Sequence, residues 1–217
     1  MTVLTKKKVL NVIKLLEEMY PEAGSELKYD SIFQLLVAVV LSAQATDKSV
    51  NLVTKELFAK YPDAESIAVI EEEELQRIIK SIGLYKTKSK NIVRLARIIN
   101  DKYNGEVPGD YDKLIQLPGV GRKTANVVLA NGFGVQRIAV DTHVFRVANR
   151  IGIVDEQNVL KTELSLMKVV PEEKWISLHH CLIWHGRRVC EARRPRCSDC
   201  RLNEICLYAK NKTKKAL

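Results

Sequence analysis

No run of the 217-residue sequence is apolar for long enough to span a membrane, and a bilayer-spanning helix is therefore not expected. Alternation of apolar and polar residues at period two is almost missing, which removes sheet architectures and leaves an all-α fold. Acidic residues are the minority: 26 Asp and Glu against 35 Lys and Arg leave a net charge of +9 and a pI near 9.3. An excess of that sign suits a polyanionic partner, with nucleic acid the leading candidate. The basic head, residues 1–8, runs into an amphipathic stretch at 9–16 rather than a continuous apolar one, so no secretory signal or other targeting segment is read there. An intracellular setting follows, in which the five cysteines are not expected to form disulfides. The length allows one large domain or two small ones, either with a substantial core.

What is present is a series of helical patterns. Val9, Val12, Ile13 and Leu16 mark one helix face, ended by Pro21. Ser31 is placed to cap residues 32–41, which are apolar on all sides and therefore predicted to lie inside a core. Asp47 is read as the cap of a helix over 48–60; the acidic run 71–74 opens another, closed by Gly83. Residues 86–103 put Ile92, Ala96, Ile99 and Tyr103 on one face with basic residues opposite, and Asn104-Gly105 ends them. Later helices are predicted over 156–169 and 173–187.

The middle of the chain carries chemistry. Residues 112–117 read as a short helix, Pro118-Gly119-Val120-Gly121 as a tight turn and 122–131 as a second helix, together a helix-hairpin-helix. Glycines at 119 and 121 let backbone N–H groups approach a phosphate closely. Two other glycine loops are excluded: a P-loop needs Gly directly before Lys, where Arg122 intervenes, and a dinucleotide fingerprint needs a third Gly where Thr124 stands. The plain alternative is a connector between two packed helices. Lys123 falls in the first turn of the second helix, where the macrodipole disfavours an ammonium and favours the neutral, nucleophilic amine. Its natural reaction is Schiff-base formation with a carbonyl-equivalent carbon, for which a sugar C1′ qualifies; the alternative is one more exposed cation. Asp141 follows Ile138-Ala139-Val140 and precedes a helical pattern over 144–151, as an N-cap or as a carboxylate serving a cationic sugar.

Cys190, Cys197, Cys200 and Cys206 form C-x6-C-x2-C-x5-C, a metal-binding density of thiols. Zinc sites usually show two narrow pairs and this spacing has one, so an iron–sulfur site is favoured. Cys181 stands apart in a helical pattern as a buried small hydrophobe. Between the first two cysteines lie Arg193, Arg194 and Arg196, a cationic loop that metal ligation would pin at both ends and make a phosphate clamp, the alternative being a solvated basic loop.

The stretches LSAQATD at 41–47, IGLYKTKSKNI at 82–92, NGEVP at 104–108, LPGVGRKTANVVL at 117–129 and IAVDTHVFRVANR at 138–150 resemble the endonuclease III family, over nearly the whole chain. That resemblance implies a six-helix barrel over residues 25–135 and a second lobe from 1–24 and 136–217. It implies a bifunctional DNA glycosylase and AP lyase of base excision repair, working as a monomer on damaged duplex DNA in the prokaryotic cytoplasm. Lys123 would be the nucleophile and Asp141 its helper. Gln44 would fill the space left by an extruded base and Leu84 would wedge the opposite strand, whereas on the residues alone Gln44 reads as a helix cap and Leu84 as core. Gly119, Val120, Gly121, Arg122, Thr124 and His143 would contact DNA, and the four cysteines would hold a structural 4Fe–4S cluster. Adenine mismatch glycosylases share the pattern, but Lys123 and the chain's end soon after Cys206 weigh against them; thymine or uracil mismatch glycosylases of the same superfamily are disfavoured by Lys123 and stay open as an alternative. A non-catalytic DNA-binding module is disfavoured by Lys123 and Asp141 together.

Overall fold

The most apolar segment of the chain has no polar face to offer to water. In the computed structural model it forms a helix, α2 (Ile32–Ser42), in which residues 33–41 are all buried. Ser31 caps it, accepting from the Gln34 N–H at 3.2 Å. The structure describes residues 3–215, with side chains as far as 212; Met1 and Thr2, at the head of the basic N-terminal stretch, and Ala216 and Leu217 lie outside the described residues. Among the described residues there are helices and no strands, and no helix is long and apolar enough to cross a membrane.

Two compact units divide the chain, Ser25–Val135 and the pair Met1–Gly24 with Gln136–Leu217. The first unit contains α2, α3 (Asp47–Lys60), α4 (Ala64–Ala68), α5 (Glu72–Ile78), α6 (Tyr85–Tyr103), α7 (Tyr111–Leu114) and α8 (Arg122–Phe133). α2 packs on α3, α6 and α8, while α6 also covers α4 and α5. The core is aliphatic, built from residues such as Leu35, Leu36, Leu41, Leu57, Ile92 and Leu95, each contributing about 1.5–3 kcal/mol by burial. α8 comes close to α2 at Gly132, where a Cβ would stand 3.1 Å from Ile32 Cγ2. A side chain at 132 would therefore push α8 off α2.

The second unit contains α1 (Lys6–Met19), α9 (Thr142–Ile151), α10 (Val159–Val169), α11 (Trp175–Arg188) and α12 (Leu207–Lys215). α9 packs against α10, α11 and α12, and α1 against α11 with Val9, Val12, Ile13 and Leu16 buried. α9 buries Val144, Val147, Ala148 and Ile151, the stripe expected of a helix half covered by neighbours.

Several boundaries depart from the sequence reading, most of them through capping. Thr46, not Asp47, caps α3, because its hydroxyl accepts from Ser49 N–H and Asp47 falls inside the first turn. α5 stops at Ile78, well before Gly83, and a reciprocal box between Asp63 and Ser66 starts an additional short helix, α4. Asp110 accepts from Lys113 N–H and starts α7 at Tyr111, one residue earlier than read. Asn158 caps α10 and delays it to Val159, leaving Glu156 in the turn to accept from Ser165. A 3₁₀ turn, Glu172–Lys174, precedes α11, which begins at Trp175.

Candidate active site and thiol centre

Between α7 and α8 the chain turns through Leu117 and Val120, whose N–H groups donate to the carbonyls of Leu114 and Leu117. Gly119 has φ +78°, and a Cβ there would stand 3.1 Å from Asn91 Cβ, so conformation and packing both demand glycine. Gly121 differs: it is the extended N-cap of α8, φ −96° and ψ 179°, with open space beside it. Having no side chain, it does not supply the acceptor that an N-cap usually offers to the first N–H groups of a helix. Val120 is buried beneath the turn; Gly121, Arg122 and Lys123 are exposed and Thr124 half-buried. The Arg122 guanidinium lies over the Tyr111 ring, with Nη1 3.3 Å from Tyr111 Oη.

Two further turns in this unit are strained. Gln44 has φ 56° and Leu84 φ 61°, left-handed conformations that cost a residue with a Cβ about 1–2 kcal/mol. Gln44 lies one residue past the C-cap of α2, which is Ala43, so it is not the cap. Leu84 is 58% exposed and is not core. The turns are neighbours, since a Cβ on Gly83 would lie 3.9 Å from the Gln44 carbonyl oxygen. This backbone presents the Gln44 amide and the Leu84 isobutyl group to solvent. Lys88, counted among the basic residues on the outer face of its helix, is instead buried, and no pattern in the sequence signalled that.

In the other unit Asp141 caps α9, with Oδ1 accepting from Val144 N–H at 2.8 Å. The cap holds the half-buried carboxylate in one orientation. His143, two residues on, lies with Nδ1 3.2 Å from Arg146 Nη2. Burial pushes its imidazole below the ordinary histidine range; the Asp141 carboxylate opposes this, and the charges of Arg146 and Arg187 reinforce it.

The four clustered cysteines line a single cavity with Ile151, His185 and Leu202. All are free thiols. Burial pushes Cys200 and Cys206 up, and the neighbouring cysteines push the same way. Four thiolates gathered there repel one another, so the donor set fits a cationic metal group among them. His185 Nδ1 accepts from Tyr20 Oη at 2.9 Å and its Nε2 lies 3.6 Å from Cys200 Sγ, an arrangement satisfied by the neutral ring protonated on Nε2. Burial lowers that ring to about 4. Cys181 is buried elsewhere in α11 and pushed up to about 11, as an inert thiol should be.

The loop after Cys190 is held by two arginines that the sequence reading did not single out. Arg146 donates to the carbonyls of Cys190 and Gly186, and Arg150 to those of Glu191 and Ala192, both at 2.7 Å. Their spacing of four on α9 was the available signal. Arg193 and Arg194 stand exposed in this loop, while Arg196 pairs with Glu191 at 3.7 Å.

A glycine hairpin with a lysine behind it and a four-thiol loop define the class as helix-hairpin-helix DNA repair. The family model described as HhH-GPD superfamily base excision DNA repair protein matches residues 37–172. Endonuclease III of Bacillus subtilis (strain 168) is 52% identical over 201 residues, covering 92% of each chain. The solved structure of a trapped endonuclease III–DNA covalent intermediate is similar with a TM-score of 0.91, at 48% identity over 97% of this chain and 99% of that one. A thermostable thymine-DNA glycosylase is similar at a TM-score of 0.84 and 25% identity, over 94% of this chain and 98% of that one. The chain belongs to the endonuclease III family.

Proposed function

We propose that this chain excises oxidised pyrimidines from duplex DNA and then nicks the strand, with Lys123 as nucleophile. As a member of its family it is a DNA N-glycosylase and AP lyase of base excision repair. The observation that carries the lysine assignment is an exposed amine in the first turn of α8, directly behind a glycine turn suited to the DNA backbone. The relative trapped as a covalent intermediate with DNA supports it, because an amine is a group that can form such a bond at a sugar carbon.

The nitrogen lone pair of Lys123 attacks C1′ and the bond from C1′ to the base breaks, the base leaving with that electron pair and gaining a proton. The C1′–O4′ bond then breaks as the nitrogen lone pair forms the C=N bond, and O4′ keeps the bonding pair and takes a proton from solvent, which gives the protonated Schiff base. Loss of a 2′ proton then expels the 3′ phosphate by β-elimination. Asp141, oriented by its cap, stabilises the sugar as it becomes cationic. Gln44 fills the vacated space and Leu84 wedges the opposite strand. The N–H groups of the turn through Gly119, Val120 and Gly121, apart from that of Val120, which is spent on the Leu117 carbonyl, hold a phosphate with Arg122 and Thr124; His143, Arg193 and Arg194 contact the backbone further along. Cys190, Cys197, Cys200 and Cys206 hold a 4Fe–4S cluster, which supplies structural cross-linking of the loop rather than a bond-making step. The protein acts as a monomer, in the prokaryotic cytoplasm with its DNA.

Borohydride trapping on a duplex carrying thymine glycol tests the central assignment. A covalent adduct is expected with the native chain and none with Lys123→Gln, which should still bind the duplex. Native levels of adduct in that variant would remove Lys123 from the chemistry.

A further inference from the structure

We propose that Lys88 is a positioning residue for base extrusion: its ammonium ties the end of α2 to the first turns of α6 and so sets the two turns that carry Gln44 and Leu84. The inference rests on the reading above that these two side chains enter the duplex.

Lys88 is only 5% exposed although it lies near the start of a surface helix. Its Nζ donates to the carbonyl oxygens of Leu41, at 2.8 Å, and Ala43, at 2.6 Å. These belong to the last turn and the C-cap of α2, where helix carbonyls have no intrahelical donor. They also form the negative end of the helix dipole, which stabilises a cation. The next residue is Gln44, left-handed and exposed. On the other side, the Lys88 backbone N–H donates to the carbonyl of Leu84 at 3.0 Å. That is the first backbone hydrogen bond of α6, so the side chain of Lys88 reaches the Gln44 turn from the helical turn that opens at Leu84.

An apolar residue would fill the same volume without losing hydration. Burial does push the Lys88 ammonium below the ordinary lysine range. The charge is useful there because two carbonyls, 47 and 45 residues away in sequence, need donors at once, and a long stem with three N–H groups reaches both. Without it the Gln44 turn is free to relax away from the Leu84 turn. Extrusion of a base then suffers, whereas reaction at a site that has already lost its base does not.

Lys88→Met keeps the stem and removes the donors; Lys88→Gln keeps one shorter donor. Single-turnover excision is measured on a duplex with one thymine glycol, and strand nicking on the same duplex with a preformed abasic site. Excision by Lys88→Met is expected to fall roughly ten- to a hundredfold, the scale of a small misplacement, with Lys88→Gln intermediate. Nicking should stay within about threefold, and 2-aminopurine beside the lesion should lose its unstacking signal. A lysine that only supports the fold would slow both reactions together, which would overturn the proposal. Gln44→Ala and Leu84→Ala are measured alongside. If both excise at the native rate, the parent reading has failed and takes this inference with it; if they are slow and Lys88→Met is not, this inference fails alone. Adding Lys88→Met to Gln44→Ala should slow excision by less than about threefold, because Lys88 acts through that turn. Fully multiplicative losses would refute it. If the Met variant does not fold, the Gln variant decides by the same comparisons, and failure of both to fold assigns Lys88 to the fold and overturns the proposal.

Discussion

Alanine at the two glycines of the hairpin should separate a folding requirement from a binding one. At Gly119 the native φ of +78° costs an alanine about 1–2 kcal/mol. The new methyl would also sit 3.1 Å from Asn91 Cβ and 3.2 Å from its Nδ2, a crowding worth about 1 kcal/mol more. Gly119→Ala is therefore expected to lose about 2–3 kcal/mol, or roughly 5–10 °C in thermal midpoint for a chain of this size. At Gly121 the backbone is extended and nothing lies within 4 Å of a Cβ, so alanine costs the fold about 1 kcal/mol or less, the difference between two N-cap residues. Its methyl would nevertheless stand beside the N–H groups that open α8. Losing one such hydrogen bond to a phosphate is worth about 1.5–3 kcal/mol, so affinity for any duplex should fall roughly tenfold or more. Thermal unfolding followed by circular dichroism, and anisotropy of a labelled duplex at fixed salt, measure the two effects. Equal losses of stability in both variants, or native affinity in Gly121→Ala, would show that the hairpin is only a connector.

The thiol centre predicts that purified protein is yellow-brown with about four irons per chain; Cys197→Ser should deplete iron, and stoichiometric zinc without iron after anaerobic purification would contradict the cluster. Arg193→Ala with Arg194→Ala should weaken damaged and undamaged duplex alike and lower the slope of log K against log salt by about one unit for each phosphate no longer neutralised, while an unchanged slope would assign the loop another role. Acid should destabilise the fold through its buried imidazoles. Burial holds His180 below its ordinary value of 6.5 and His185 at about 4. The unfolded chain takes up those protons near 6.5, so their contribution is complete above that pH and is lost as pH falls toward 4. A urea midpoint that stays constant from about pH 7 to about pH 4.5 would refute it.

Features that act within a turn of helix were legible in the sequence alone. The all-α class, the buried α2 with its Ser31 cap, the end of α6 at Asn104 and Gly105, and the glycine turn before α8 all follow from residues within about four positions of one another. Even there, adjacent competitors were decided by the path of the chain: Thr46 and Asp47 can both cap, and only the direction in which the backbone enters α3 selects Thr46. The candidate site was legible as a set of motifs, Lys123 behind its glycines and four spaced cysteines, because each motif is short. What only the tertiary structure decided is how side chains are used over long separations. Leu84 has the composition of a core residue and is exposed, because its left-handed backbone lifts it off the helix it precedes. Lys88 reads as solvated and is buried, because the end of α2 passes over it with two carbonyls that lack donors. Arg146 and Arg150, which no sequence motif singles out, grip a loop some 40 residues further on. A hydrogen bond across such a separation depends on which helix end is packed against which, and hydrophobic period and local propensity do not encode that.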